Sequence, residues 1–177
     1  MRKEFRLSGS GGQGIILAGI ILAEAATRAG YHVVQSQSYG PEARGGASRA
    51  EVIVSDQPID YPKVTRPDVF LALTPQAYAK YCKSVTPDSI VILDDRLEVT
   101  DACPAGALKF PILRTAHELG REIVANMVSL GTLAALTKLI DNGVWEAAIT
   151  RRVPRGTAEL NILAFRSGYM LIKTPIL

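Results

Sequence analysis

The sequence predicts an α/β domain of three layers built on a mixed, mostly parallel sheet. Three features carry that expectation. A glycine-rich turn, Gly9-Ser10-Gly11-Gly12-Gln13-Gly14, stands between an alternating strand pattern and an apolar helix. The short apolar runs Asp68 to Leu73 and Ile90 to Leu93 have the pattern of strands covered on both faces. The strand patterns Val33 to Ser38 and Glu51 to Ser55 are joined by a loop too short for a helical crossover, which needs about a dozen residues or more. These two strands are therefore expected to run antiparallel, as a protruding hairpin attached to parallel strands.

The first strand is expected over Glu4 to Ser8, where Phe5 and Leu7 alternate with polar residues. Ile15 to Ala29 then reads as a helix that is apolar nearly all round, with Gly30 closing it and Glu24 and Arg28 spaced to pair on its one polar edge. A helix of this kind must be buried on more than one side. Pro75 to Cys82 reads as a short helix with proline near its start, and Lys109 to Leu113 as a further strand. Helices are expected over Ala116 to Ile140, with Gly120 as a point of interruption, over Val144 to Arg152, and over Thr157 to about Arg166. No repeat, low-complexity tract or domain boundary is visible, so residues 1–177 read as one domain.

Composition narrows the function classes. Hydrophobic residues make up 47% and charged residues 21%, the balance of a globular chain. A formal net charge of +3 with scattered cations does not suggest nucleic acid, and the one tight group, Arg151, Arg152 and Arg155, reads as a solvated helix end. The N-terminus lacks the apolar stretch of a signal peptide, and the longest apolar run, Ile15 to Ala23, is too short to span a bilayer. A cytoplasmic protein with no membrane partner is expected. Cys82 and Cys103 are the only cysteines and have no CxxC spacing, so they read as core thiols rather than cluster or zinc ligands. His32 and His117 lack metal-ligand spacing, and no GxSxG or thiamine-diphosphate motif is present, so no catalytic residue or metal site is assigned to this chain.

Two loops carry the chemistry. Gly9, Gly11, Gly12, Gln13 and Gly14 match GxGxxG in the strand–turn–helix setting where glycines let a phosphate approach the backbone and the free N–H groups of a helix start. The competing explanation is a tight turn whose glycines serve only conformation and packing. A dinucleotide site would also want an acid about 20 residues further on. That region is Val33-Val-Gln-Ser-Gln-Ser38, with no acid before Glu42. Walker A fails too, since no Gly-Lys-Ser/Thr follows. The second loop places Tyr39, Glu42 and Arg44 among Gly40, Pro41, Gly45 and Gly46. Arg44 suits a two-point contact with a carboxylate or phosphate, with Glu42 to orient it and Tyr39 to offer a ring and a hydroxyl. An ordinary exposed turn would not need so much glycine beside charge, and a ligand or docking loop is the expectation.

Together the two loops resemble the gamma subunit, or gamma domain, of the 2-oxoacid:ferredoxin oxidoreductases. Gly9-Ser-Gly-Gly-Gln-Gly-Ile15 and Ser38-Tyr-Gly-Pro-Glu-Ala-Arg-Gly-Gly46 carry the resemblance, extended by Ala50 to Asp56, Asp68 to Leu73 and Asn126 to Gly131. It implies a Rossmann-like unit of an enzyme that oxidatively decarboxylates a 2-oxoacid to an acyl-CoA, with electrons passed to ferredoxin. It further implies alpha and beta subunits that carry thiamine diphosphate and Mg, and iron–sulfur clusters on the beta subunit or a ferredoxin-like delta subunit. The form of the second loop looks closer to the 2-oxoglutarate type than to the pyruvate type. On this view the isolated chain is inactive, the glycine turn contacts coenzyme A or a neighbouring chain, and uncovered apolar surface favours self-association when partners are missing. Two other classes remain open from the residues: a free-standing NAD(P)- or flavin-binding oxidoreductase, and a scaffold that binds no ligand.

Overall fold

The computed structural model describes residues 1–38, 46–99, 103 and 106–172. Among these, six strands form one sheet in the order β2-β3-β1-β4-β5-β6. The strands are β1 (Arg2–Ser10), β2 (His32–Gln37), β3 (Ala47–Ser55), β4 (Val69–Ala72), β5 (Ile90–Asp94) and β6 (Ala107–Phe110). β1, β4, β5 and β6 run parallel, whereas β3 is antiparallel to both β1 and β2. The expected antiparallel pair is therefore present, but its strands do not stand apart from the sheet. β3 pairs with β1 along its whole length, from Arg2↔Ser55 to Ser10↔Ala47, because Ala50, Val52 and Val54 belong under the same helices as Phe5 and Leu7. The hairpin's connecting residues, 39–45, lie outside the described residues.

The two faces of the sheet are dressed unequally. Phe5, Leu7, Val52, Val69, Leu71 and Ile92 point to one face, where α1 (Ile15–Arg28) and α4 (Ala125–Thr137) cover them. α5 (Asn142–Arg152) packs against α1, and α6 (Ala158–Met170) against α4. The apolar all-round character of α1 and α4 follows from this, since each has the sheet beneath it and a further helix beside or above it. The other face is covered chiefly by α2 (Pro75–Tyr81), whose Ala77, Tyr78 and Tyr81 meet Phe70, Ala72, Val91 and Leu93. Thr74 caps α2, accepting the Ala77 N–H through its hydroxyl, with proline at the first position.

Several element boundaries differ from the sequence expectation; β1 and β3, for example, begin earlier than expected, at Arg2 and Ala47. The strand predicted over Lys109 to Leu113 stops at Phe110, because Pro111 opens α3 (Ile112–Glu118), and the buried carboxylate of Asp94 accepts the Leu113 N–H at 2.7 Å. The long helix predicted from Ala116 is two helices, separated at Gly120 (φ 86°) and by a 3-10 turn over Glu122–Val124. The final helix continues to Met170 rather than ending near Arg166.

The Arg151–Arg152 pair is not a free solvated end either. Glu24, whose side chain is 11% exposed, accepts the Arg28 Nε at 3.0 Å and faces the Arg151 Nε at 3.2 Å and the Arg152 Nε. Burial pushes the Glu24 carboxyl up, but hydrogen bonds from Arg152 and Arg28 outweigh it and hold its pKa below the ordinary 4.5. A depressed carboxylate stabilises the fold at pH above its unfolded pKa and loses that contribution as pH falls through the folded value. Glu24→Gln should therefore melt lower than the parent at neutral pH, and the gap should close as melts are repeated below pH 4.5. A gap independent of pH would mean the carboxylate charge is not what matters.

Candidate functional site

The glycine turn sits where the direction of winding reverses. β1 and β4 are parallel neighbours, but α1 leaves β1 towards one face and α2 leaves β4 towards the other. In an open α/β sheet this divergence leaves a crevice beyond the carboxyl ends of the two strands, the usual place for a ligand. Ser10 is the last residue of β1 and pairs with Ala47, so Gly46, immediately before β3, lies beside the turn. The glycine turn and Gly46, the described end of the second segment, thus reach the same end of the sheet, although they are more than 30 positions apart in sequence.

Inside the turn each glycine has its own reason. The Gln13 side chain folds back to accept the Ser10 N–H at 2.8 Å, and the Gly9 α-carbon lies against it with no room for a methyl. Gly14 has φ 71° and is pressed against Asn126, whose Nδ2 donates to the Gly14 carbonyl at 3.2 Å. Gly12, with φ 90°, is exposed and meets nothing within 4 Å. Gly11 and Gly46 are half-buried. The turn is therefore locked from below by Gln13 and Asn126 and open above at Gly12. α1 has no side-chain cap, so its first-turn N–H groups face the crevice without a competing side chain. Tyr39, Glu42, Arg44 and Gly45 lie outside the described residues.

Asn126 was not among the candidate site residues. It is 2% exposed and 112 residues from Gly14 in sequence, and the signals that could have exposed it were its place at the start of an apolar helix and at the head of the Asn126 to Gly131 stretch. Arg49 was also missed. Its guanidinium lies 5.3 Å from the Tyr81 ring centroid, and the Tyr81 hydroxyl donates to the Ala47 carbonyl at 3.1 Å, tying the end of the second loop to α2. Cys82 is buried and Cys103 partly buried in the small core under α2. Burial and the neighbouring Cys103 push the Cys82 thiol up, which suits an inert core residue. His32 is exposed, and His117 is exposed with Glu122 3.7 Å away.

Fold and crevice together define a Rossmann-like α/β domain with a glycine-rich turn at its switch point. The family described as pyruvate ferredoxin/flavodoxin oxidoreductase matches residues 4–171. The chain belongs to that family. The 2-oxoglutarate synthase subunit KorC of Methanocaldococcus jannaschii is 50% identical over 178 residues, covering 98% of this chain and 95% of that protein. The gamma subunit of a keto/oxoacid ferredoxin oxidoreductase from Geobacter sulfurreducens PCA superposes with a TM-score of 0.84 at 44% identity, over 97% of this chain and 96% of that one. A 2-oxoglutarate:ferredoxin oxidoreductase from Magnetococcus marinus, solved with 2-oxoglutarate, coenzyme A and succinyl-CoA bound, superposes with a TM-score of 0.85 at 27% identity. That match covers 97% of this chain but 31% of the larger one.

Proposed function

We infer that this chain is the gamma subunit of a 2-oxoglutarate:ferredoxin oxidoreductase, which converts 2-oxoglutarate and coenzyme A to succinyl-CoA and carbon dioxide, with two electrons passed to ferredoxin. Half-identity over nearly the full length to a protein named as a 2-oxoglutarate synthase subunit carries the reading. Residues 1–177 act as one gamma-type domain, in the cytoplasm, alongside alpha and beta subunits and a ferredoxin-like delta subunit. Those partners hold the thiamine diphosphate, Mg and clusters. Among the described residues, no helix is long and apolar enough to cross a membrane. Co-expression with the alpha and beta chains tests the reading: 2-oxoglutarate-dependent, CoA-dependent ferredoxin reduction should need this subunit. Full activity in its absence, or activity with pyruvate alone, would overturn it.

Within that enzyme, the glycine turn is proposed to receive a phosphate of coenzyme A, with Gly9, Gly11, Gly12, Gln13 and Gly14 forming the cradle. Tyr39, Glu42, Arg44, Gly45 and Gly46 are proposed to close it. The open space above Gly12 and the uncapped start of α1 support this, since both suit an anion brought against backbone N–H groups. Gly30 supplies a matched control: it too has φ 90° and open space, at the far end of α1. Gly12→Leu and Gly30→Leu therefore carry the same left-handed backbone cost, on the order of 1–2 kcal/mol. Only Gly12→Leu should raise the KM for CoA in the assembled enzyme, by about tenfold. Equal KM values for the two variants would remove the phosphate role.

A further inference from the structure

The two edges of the sheet are not alike. β6 is four residues long, carries Lys109 and runs into Pro111, features that discourage pairing with another strand. β2 is His32-Val-Val-Gln-Ser-Gln37, without lysine, arginine, acid or proline, and among the described residues it pairs only with β3. The Ser38 N–H donates to the Arg49 carbonyl at 3.2 Å, so by antiparallel alternation Ser36 and Val34 also face β3. The backbone N–H and C=O groups of Val33 and Gln35 consequently point away from the sheet.

The side chains of those same two residues line a groove of about 470 Å³ between β2, α1 and the end of α5. Its floor is apolar, with Ile20, Ala23 and Val33, and its rim carries Arg28 and Arg152. The rim has excess positive charge, because among the described residues Glu24 is the single carboxylate facing Arg28, Arg151 and Arg152. Each arginine meets Glu24 through Nε, and each guanidinium has terminal N–H groups to spare. The open backbone groups want a strand, and the groove beside them wants a side chain that is negative at its tip.

We propose that β2 is extended by an extended segment of a partner subunit, which pairs with Val33 and Gln35 and inserts an Asp or Glu side chain between Arg28 and Arg152. A strand added there directs alternate side chains over the α1 face, into the groove. A second copy of this chain fits less well, because its own β2 has no carboxylate to offer. The inference rests on the reading of this chain as a subunit, and it names the surface and the chemistry of the contact.

The assembled complex provides the test. Hydrogen exchange at the Val33 and Gln35 amides should slow at least tenfold on assembly relative to the free chain. Gln35→Pro deletes an outward N–H together with the Gln35 side chain and leaves the ladder to β3 intact, so it should fold with an unchanged circular dichroism spectrum yet bind its partner about tenfold more weakly than a Gln35→Ala control, which loses the side chain alone. Arg28→Gln with Arg152→Gln should weaken binding similarly and flatten its dependence on salt. If Gln35→Pro fails to fold, the exchange measurement on the unaltered chain decides. A partner that binds while both amides exchange as in the free chain overturns this inference alone. Failure of any subunit to co-purify overturns it together with the subunit reading. A Val33→Cys cross-link that joins two copies of this chain overturns it in favour of self-association.

Discussion

Replacing Gly131 with valine is expected to abolish folded protein. Gly131 lies in α4 at its crossing with α6, where a Cβ would land on the Phe165 carbonyl and 2.7 Å from the Tyr169 nitrogen. On the facing helix, Gly168 is pressed in the same way onto the Val128 carbonyl. The obstacles are backbone on both sides, so no side chain can swing away and the helices must separate. Separation also breaks the Thr132 hydroxyl's bond to the Gly168 carbonyl, 3.2 Å long, and loosens Phe165 against Trp145, whose rings sit 5.8 Å apart. The cost should exceed the roughly 1–3 kcal/mol of ordinary overpacking, a large share of a total stability of about 5–15 kcal/mol. Soluble yield and thermal melts of Gly131→Ala, Gly131→Val and the control Gly106→Ala would check it. Gly106 has open space and an ordinary backbone, so its change should stay within about 0.5 kcal/mol. A Gly131→Val protein that melts like the parent would show that the helices do not meet this closely.

Glu51→Ala is expected to destabilise nearly as much by a different route. Arg6 projects from the middle of β1 and is 5% exposed. Its Nε donates to the Glu51 carboxylate at 2.7 Å, and its terminal nitrogens donate to the Val64 carbonyl at 3.2 Å and to the Ser84 hydroxyl. Arg49 stands 3.6 Å from the same carboxylate. Removing Glu51 leaves a buried guanidinium without its counter-charge, worth about 3–5 kcal/mol, whereas replacing both partners by apolar residues is often close to neutral. Denaturant unfolding should thus rank Glu51→Ala well below the parent and Arg6→Met/Glu51→Leu near it. A double variant as unstable as the single one would mean the pair contributes through its hydrogen bonds to Val64 and Ser84, not through charge balance.

Both sites show what local sequence could and could not reveal. The alternation of Phe5 and Leu7 announces β1, but nothing near Arg6 says that its partner lies 45 residues away across the strand pair. Gly131 falls inside the helix expected over Ala116 to Ile140 and Gly168 beyond the expected end near Arg166, and nothing in the local pattern joins the two. The glycine turn and the Tyr39–Gly46 loop were visible because they concentrate rare backbone requirements in a few adjacent residues. Arg151 and Arg152 misled as a solvated end, since their counter-ion is Glu24, 128 residues from Arg152.

The sequence alone therefore determined the class of fold, the antiparallel pair beside parallel strands and the family the chain belongs to. Each of these depends on periodicity or on conformational demands satisfied within a short window. Only the tertiary structure decided that β3 lies between β1 and β2, that the glycine turn sits at the switch point with Gly46 beside it, and that Asn126 locks the turn. It also decided which edge of the sheet is left open. Those facts depend on which distant surfaces bury one another, and burial is settled by the whole chain at once.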